Sequence, residues 1–162
     1  MPVIDVTKDP TACTMTVASE YDAPVERCWQ LWADPRQLER WWGPPTYPAT
    51  FVEHDLTPGK FCTYFMTGPQ GDTPHGWWRV ESVDAPHGFE VVDGFGDEPG
   101  NDNGLPLTKM RVRLADRPGG GTRMTVVSTF GSPEGMAQQL EMGMEQGMLE
   151  AAGQIDAILA EG

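Results

Sequence analysis

Residues 22–45 read DAPVERCWQLWADPRQLERWWGPP. After Asp22, which is expected to cap a helix N-terminus, apolar side chains recur at helical spacing and predict a short amphipathic helix. These side chains are Val25, Cys28, Trp29 and Trp32, of which the two tryptophans are expected in the core. Asp34-Pro35 begins a second short helix with Trp41 and Trp42 near its end, and Gly43-Pro44-Pro45 ends it. Two short helices are therefore expected in this stretch.

Strand patterns lie on both sides of these helices. Residues 11–21 alternate between apolar and polar side chains, as a half-buried strand does. Further strands are separated by turn signals such as Thr57-Pro58-Gly59, and short turns favour antiparallel hairpins. The expected ranges are about 48–56, 60–67, 75–84, 88–95, 107–115 and 121–130. The pattern predicts a seven-stranded antiparallel sheet.

One long amphipathic helix is predicted at the C-terminus. Ser132 is the expected N-cap and Pro133 the first helical residue. Apolar residues then recur every three or four positions, at Met136, Leu140, Met144, Met148, Ala151, Ile155 and Leu159. Each interior glycine destabilises a helix by about 1 kcal/mol relative to Ala, so Gly143 and Gly147 imply that packing against the sheet stabilises this helix.

Composition narrows the class of protein. The 162 residues suit one domain, expected over 11–160 with an N-terminal extension at 1–10. The net charge of −13 disfavours nucleic acid and anionic membranes, which attract clustered Lys and Arg. No apolar stretch approaches the roughly 18 residues of a membrane span, and no signal sequence is recognised. Three cysteines without C-x-x-C spacing fit a reducing compartment, so a cytoplasmic location is expected.

Several motifs resemble those of the heat-shock-protein-ninety ATPase activator homologue (AHSA-type) family, within the START-like (SRPBCC) superfamily. They are DAPVER at 22–27, WWGP at 41–44, DLTPG at 55–59 and MGMEQG at 142–147. The resemblance covers roughly residues 11–160. It implies an α+β helix-grip fold, in which a curved antiparallel sheet wraps a long C-terminal helix. Two short helices lie between the first two strands of that fold, and a cavity separates sheet from helix.

The candidate site is this space between sheet and helix. Asp93 alternates with Phe89, Val91 and Phe95, which turns its carboxylate inward unless a bulge at Gly94 rotates it to solvent. A desolvated carboxyl suits acid–base chemistry or the orientation of a ligand, so Asp93 is also the candidate catalytic residue. The candidate ligand-binding residues are Trp41, Trp42, Phe51, Phe65, Trp78, Asp93, Phe95, Met110, Met124, Leu140, Met144 and Met148.

The preferred function is the binding of a small hydrophobic or aromatic molecule, without cofactor or metal. His54, His75 and His87 are scattered and lack zinc-site spacing. Three alternatives stay open: side chains fill the interior completely, Asp93 with Tyr64 or a His serves a cyclase, dehydratase or hydrolase, or the chain is a chaperone-interacting module, as the family name implies. A homodimer is also compatible with the sequence.

Overall fold

The computed structural model describes residues 3–161 and has an α+β architecture. Its strands are β1 Val3–Asp9, β2 Thr14–Tyr21, β3 Ala49–Glu53, β4 Phe61–Met66, β5 His75–Asp84, β6 Gly88–Phe95, β7 Thr108–Asp116 and β8 Thr122–Phe130. Its helices are α1 Val25–Ala33, α2 Pro35–Leu38, α3 Pro133–Glu141, α4 Met144–Ala152 and α5 Ile155–Ala160. The strands form one curved antiparallel sheet in the order β1-β2-β8-β7-β6-β5-β4-β3. The predicted fold class is confirmed.

The sheet has one strand more than predicted. Strand β1 lies in the predicted extension, of which residues 1–2 fall outside the described residues, and pairs with β2 from Asp9–Thr14 to Val3–Ser19. Only Val3 and Val6 of this strand are half-buried, and the other five residues are exposed. An edge strand with so little burial shows no alternation in its sequence, which explains why it was not predicted.

The predicted long helix is divided into α3, α4 and α5. Ser132 caps α3 by accepting a hydrogen bond from the Gly135 N–H at 2.9 Å, with Pro133 as the first helical residue, so this predicted start is confirmed. Gly143 has φ of +89° and begins α4 in a left-handed conformation, which interrupts the helical stripe. Leu140 packs against a small cluster around Met15 and Phe130, which Met144 and Met148 of α4 also contact.

The main core lies between the sheet and α1, α2, α4 and α5. Trp32 is 1% exposed at its centre, with its ring 4.6 Å from that of Trp41 and 5.3 Å from that of Phe89. Asp22 is not the cap of α1, since Pro24 occupies that position and Asp22 pairs with Arg117. Asp34 does cap α2, through the Arg36 N–H at 3.0 Å.

The β4 side chains that face the helices differ from those predicted. Tyr64 pairs with Phe51 on β3 and Gly76 on β5, and its ring faces the helices. Phe65, the next residue, lies on the outer face beside His75, with ring centroids 5.7 Å apart. The prediction that Phe65 faces the helix is wrong because β4 carries apolar side chains on both faces, so their positions do not define the inner one.

Candidate functional site

A cavity of about 230 Å³ lies between the inner face of the sheet and the segment from α3 to α4. Its sheet wall comes from β4, β6, β7 and β8, and Trp41, Trp42 and Pro44 close one side. Met142 is 58% exposed and lies at the cavity rim with Gly143, where α3 and α4 separate. The remaining lining residues are Tyr64, Met66, Asp93, Phe95, Thr108, Met110, Ser128, Gln139, Met144, Gly147, Met148 and Ala151.

Seven predicted site residues line this cavity, and five do not. Those in the wall are Trp41, Trp42, Asp93, Phe95, Met110, Met144 and Met148. Phe51, Trp78 and Met124 lie behind it in the packed core, where each is at most 3% exposed. Leu140 packs against the cluster around Met15 and Phe130 and is not part of the wall, and Phe65 faces outward.

Several polar residues of the wall were not among the predicted site residues. Thr108 and Ser128 share strand alternation with Met110 and Met124, so their inward position was readable from the sequence. The buried Gln139 side chain donates a hydrogen bond to the Thr108 hydroxyl at 2.5 Å. The Ser128 hydroxyl and the Trp42 indole N–H are buried without a hydrogen-bond partner among residues 3–161.

Asp93 and Tyr64 form the polar end of the cavity. The Tyr64 hydroxyl donates to Oδ1 of Asp93 at 3.3 Å, across the intervening strand β5. Gly76 on β5 pairs with Tyr64 on one side and with Phe95 on the other, and a Cβ there would lie 2.5 Å from the Tyr64 ring. The glycine therefore provides the space that the Tyr64 ring occupies.

Burial controls the protonation of this pair. Loss of solvent raises the pKa of Asp93 from 3.8 to about 7, against the opposing effect of the Tyr64 hydrogen bond. Burial, followed by the charge of Asp93, raises the pKa of Tyr64 well above its ordinary value. At neutral pH the cavity thus contains a carboxyl poised between its two protonation states beside a neutral phenol. Such a pair suits proton transfer or the orientation of a polar ligand group.

Other parts of the described chain offer less chemistry. His54 is half-buried, its Nε2 lies 2.9 Å from the carbonyl oxygen of Trp32, and burial lowers its pKa. Within residues 3–161, no three His, Cys, Asp or Glu side chains converge as metal ligands would. No helix in the same range has the length and apolarity needed to cross a membrane.

Comparisons with known proteins agree with this architecture. Protein Ms6760 from Mycobacterium smegmatis is 49% identical, with a TM-score of 0.88 over 98% of this chain and 97% of that one. A protein from Arthrobacter aurescens is also 49% identical, with a TM-score of 0.92 over 99% and 93% of the two chains. DynU16, a putative protein in the dynemicin biosynthetic locus, shares the fold at 21% identity and a TM-score of 0.65. There the match covers 91% of this chain and 47% of that one.

The family comparison covers most of the chain. No curated protein matches. The family model described as Activator of Hsp90 ATPase homolog 1-like protein matches residues 22–160, from the residue before Ala23-Pro24 to the end of α5. This range contains strands β3 to β8, all five helices and every residue of the cavity wall. The chain belongs to the family of Activator of Hsp90 ATPase homolog 1-like proteins.

Proposed function

We propose that this protein binds a small, mainly apolar molecule in the cavity between the sheet and helices α3 and α4. The cavity itself is the observation that supports this function, because protein interiors contain few voids larger than a water molecule. An apolar cavity of about 150 Å³ accommodates benzene, so about 230 Å³ is sufficient for a substituted ring. The fold also commonly binds ligands.

The wall composition supports a ligand of variable shape. Met66, Met110, Met144 and Met148 contribute unbranched side chains that repack at low cost around different molecules. The polar groups of Asp93 and its neighbours would fix the orientation of the ligand, while the apolar walls contribute most of the affinity. The chaperone-interacting alternative rests on the family description alone, whereas the cavity is a feature of this chain.

Filling the cavity tests the proposal. Gly147 lines the cavity from within α4, and a Cβ added there meets no atom within 4 Å. Gly147→Leu adds a bulky side chain at that wall and improves helix propensity by nearly 1 kcal/mol, so the variant should fold. Gln146→Leu adds the same side chain at an exposed position of the same helix and is the matched control.

The readout is the fluorescence of N-phenyl-1-naphthylamine, a neutral dye that brightens in apolar surroundings. The wild type and Gln146→Leu should bind one dye molecule per chain, and Gly147→Leu should bind at least tenfold more weakly. Gly147→Ala should fall between them. Absence of dye binding to the wild type, or equal binding by Gly147→Leu, would overturn the proposal.

A cofactor-independent enzyme is the second candidate, favoured by the contact between Asp93 and Tyr64 in the cavity wall. The carboxyl would act as the general acid or base of a cyclase, dehydratase or hydrolase. Molecules that co-purify with the protein, identified by native mass spectrometry, are the compounds to incubate with it. Conversion by the wild type and none by Asp93→Asn would support this candidate, and unchanged recovery from both proteins would oppose it.

A further inference from the structure

Asp93 presents an unpaired carboxyl oxygen to the cavity. Its Oδ1 accepts the hydrogen bond from Tyr64, and Oδ2 has no hydrogen-bond or ion-pair partner within residues 3–161. Protein surrounds the side chain, yet Asp93 is only half-buried by accessible area, because part of its surface faces the cavity that it lines. The free oxygen is therefore available to a bound molecule.

The wall around this oxygen contains no positive group. None of the lining residues within the described chain is Lys, Arg or His, and Asp93 is the one carboxylic acid among them. Removing a carboxylate from water without a cationic partner is unfavourable, so a positively charged ligand would offset the desolvation free energy of Asp93. The net charge of −13 also favours the entry of cations and opposes that of anions.

Aromatic rings supply the second feature that cations prefer. Trp42, Tyr64 and Phe95 all line the cavity with Asp93, and the Trp42 and Tyr64 centroids are 6.3 Å apart in an edge-to-face arrangement. A cation within about 6 Å of a ring centroid is attracted to the face of that ring. A carboxylate next to several rings is an arrangement that binds an ammonium group, and the remaining Met-rich wall suits an apolar body.

Building on the proposed function, we propose that the ligand of this cavity is an amphiphilic amine. Its protonated nitrogen would pair with the free oxygen of Asp93 beside the rings of Trp42 and Tyr64. Its apolar body would lie against the methionines of β4, β7 and α4. A neutral alcohol of the same shape would make the apolar contacts and a single hydrogen bond, and a carboxylic acid would be repelled by Asp93.

Three probes of similar shape separate these possibilities: 2-phenylethylamine, 2-phenylethanol and 3-phenylpropanoate, which carry positive, zero and negative charge near neutral pH. Dissociation constants are measured by ligand titration with calorimetry or NMR at pH 8. The amine should bind at least tenfold more tightly than the alcohol, and the acid more weakly than both. Asp93→Asn should remove the preference for the amine while changing alcohol binding by less than about threefold. Asp97→Asn, an exposed neighbour, should retain the preference.

The preference should also depend on pH. Among residues 3–161, Tyr64 from β4 is the one other titratable group that faces Asp93, since the neighbouring Trp78 on β5, Thr108 on β7 and Gln139 on α3 do not ionise near neutral pH. Burial raises the pKa of Tyr64 well above its ordinary value, so the phenol stays neutral. Protonation of Asp93 should therefore weaken amine binding about tenfold between pH 8 and pH 6 and leave alcohol binding unchanged.

The outcomes distinguish this inference from the proposed function. Equal or tighter binding of the alcohol at pH 8 would overturn the amine as ligand and leave the binding function intact. A preference for the amine that survives Asp93→Asn would overturn the role of the carboxylate. Failure of the wild type to bind any of the three probes, or N-phenyl-1-naphthylamine, would overturn both proposals.

Discussion

Asp93→Asn should stabilise the protein at alkaline pH. Burial raises the pKa of Asp93 from 3.8 to about 7. Between these values the folded protein retains a proton that the unfolded chain has released, so the contribution of this group to stability falls as pH rises. A difference of about 3 pKa units corresponds to about 4 kcal/mol at pH values above 7. Asparagine is nearly the same size, accepts the Tyr64 hydrogen bond and never ionises.

The assay is urea unfolding of the wild type and Asp93→Asn at pH 5 and pH 8.5. At pH 5 the raised pKa of Asp93 already destabilises the wild type by part of this amount. Integration of the linkage relation from pH 5 to pH 8.5 gives a further destabilisation of about 3 kcal/mol. The unfolding free energy of Asp93→Asn, relative to the wild type, should rise by this amount from pH 5 to pH 8.5. For a chain of this length the equivalent shift in Tm is roughly 6–10 °C.

Comparison with the wild type at each pH cancels the contribution of the other 23 acidic residues, which both proteins share. Asp97→Asn provides the control for replacing a carboxyl at an exposed position, and its difference from the wild type should stay constant. Parallel stability curves for Asp93→Asn and the wild type, within about 0.5 kcal/mol, would show that folding does not desolvate Asp93. The carboxyl of Asp93 would then not be poised between its two protonation states at neutral pH.

Two further predictions concern packing and thiol access. Gly76→Ala places a Cβ 2.5 Å from the Tyr64 ring and should lower the unfolding free energy by about 1–3 kcal/mol, whereas Gly131→Ala, with nothing within 4 Å, should have little effect in the same urea assay. Burial raises the pKa of the Cys28 and Cys62 thiols, whereas Cys13 is only half-buried. Ellman's reagent at pH 8 should therefore modify only Cys13 rapidly in the native protein and all three thiols in urea. Rapid modification of more than one thiol in the native protein would contradict this burial.

The strand boundaries were largely predictable, and the inward face of β4 was not. Strands β5 and β6 have the predicted limits, because turn residues mark both ends of each. On β4, the outward Phe61 packs against Trp77, which is 1% exposed on the outer face, with centroids 6.1 Å apart. A strand with aromatic residues on both sides gives no period of two, so side-chain type alone did not place Tyr64 in the cavity.

Local backbone geometry explains the other differences. The apolar stripe of 136–159 continues through Gly143, but the left-handed φ of this glycine divides the predicted single helix into α3 and α4, while Leu140 and Met144 contact the same small cluster. Gly94 was considered as a bulge, yet β6 pairs regularly through it with Trp77 on β5. A Cβ at Gly94 would lie 2.2 Å from the Trp77 ring, so this glycine provides space on the outer face. Neither distinction is encoded in hydrophobic periodicity.

The two expected effects of Asp93→Asn have opposite signs, and this separates a functional from a structural role. If the Asp93 carboxyl stabilised the fold, its replacement would lower the unfolding free energy. Any loss of binding would then accompany a loss of stability. Within the described part of the chain, the Asp93 side chain instead has a single hydrogen bond, at 3.3 Å, and its ionisation opposes folding above pH 7. Binding and catalytic sites characteristically retain groups that lower the stability of the folded protein. A destabilising carboxyl in the wall of a cavity fits this description. Increased stability together with lost amine preference at pH 8 is therefore the combined result that a purely structural role for Asp93 would not produce.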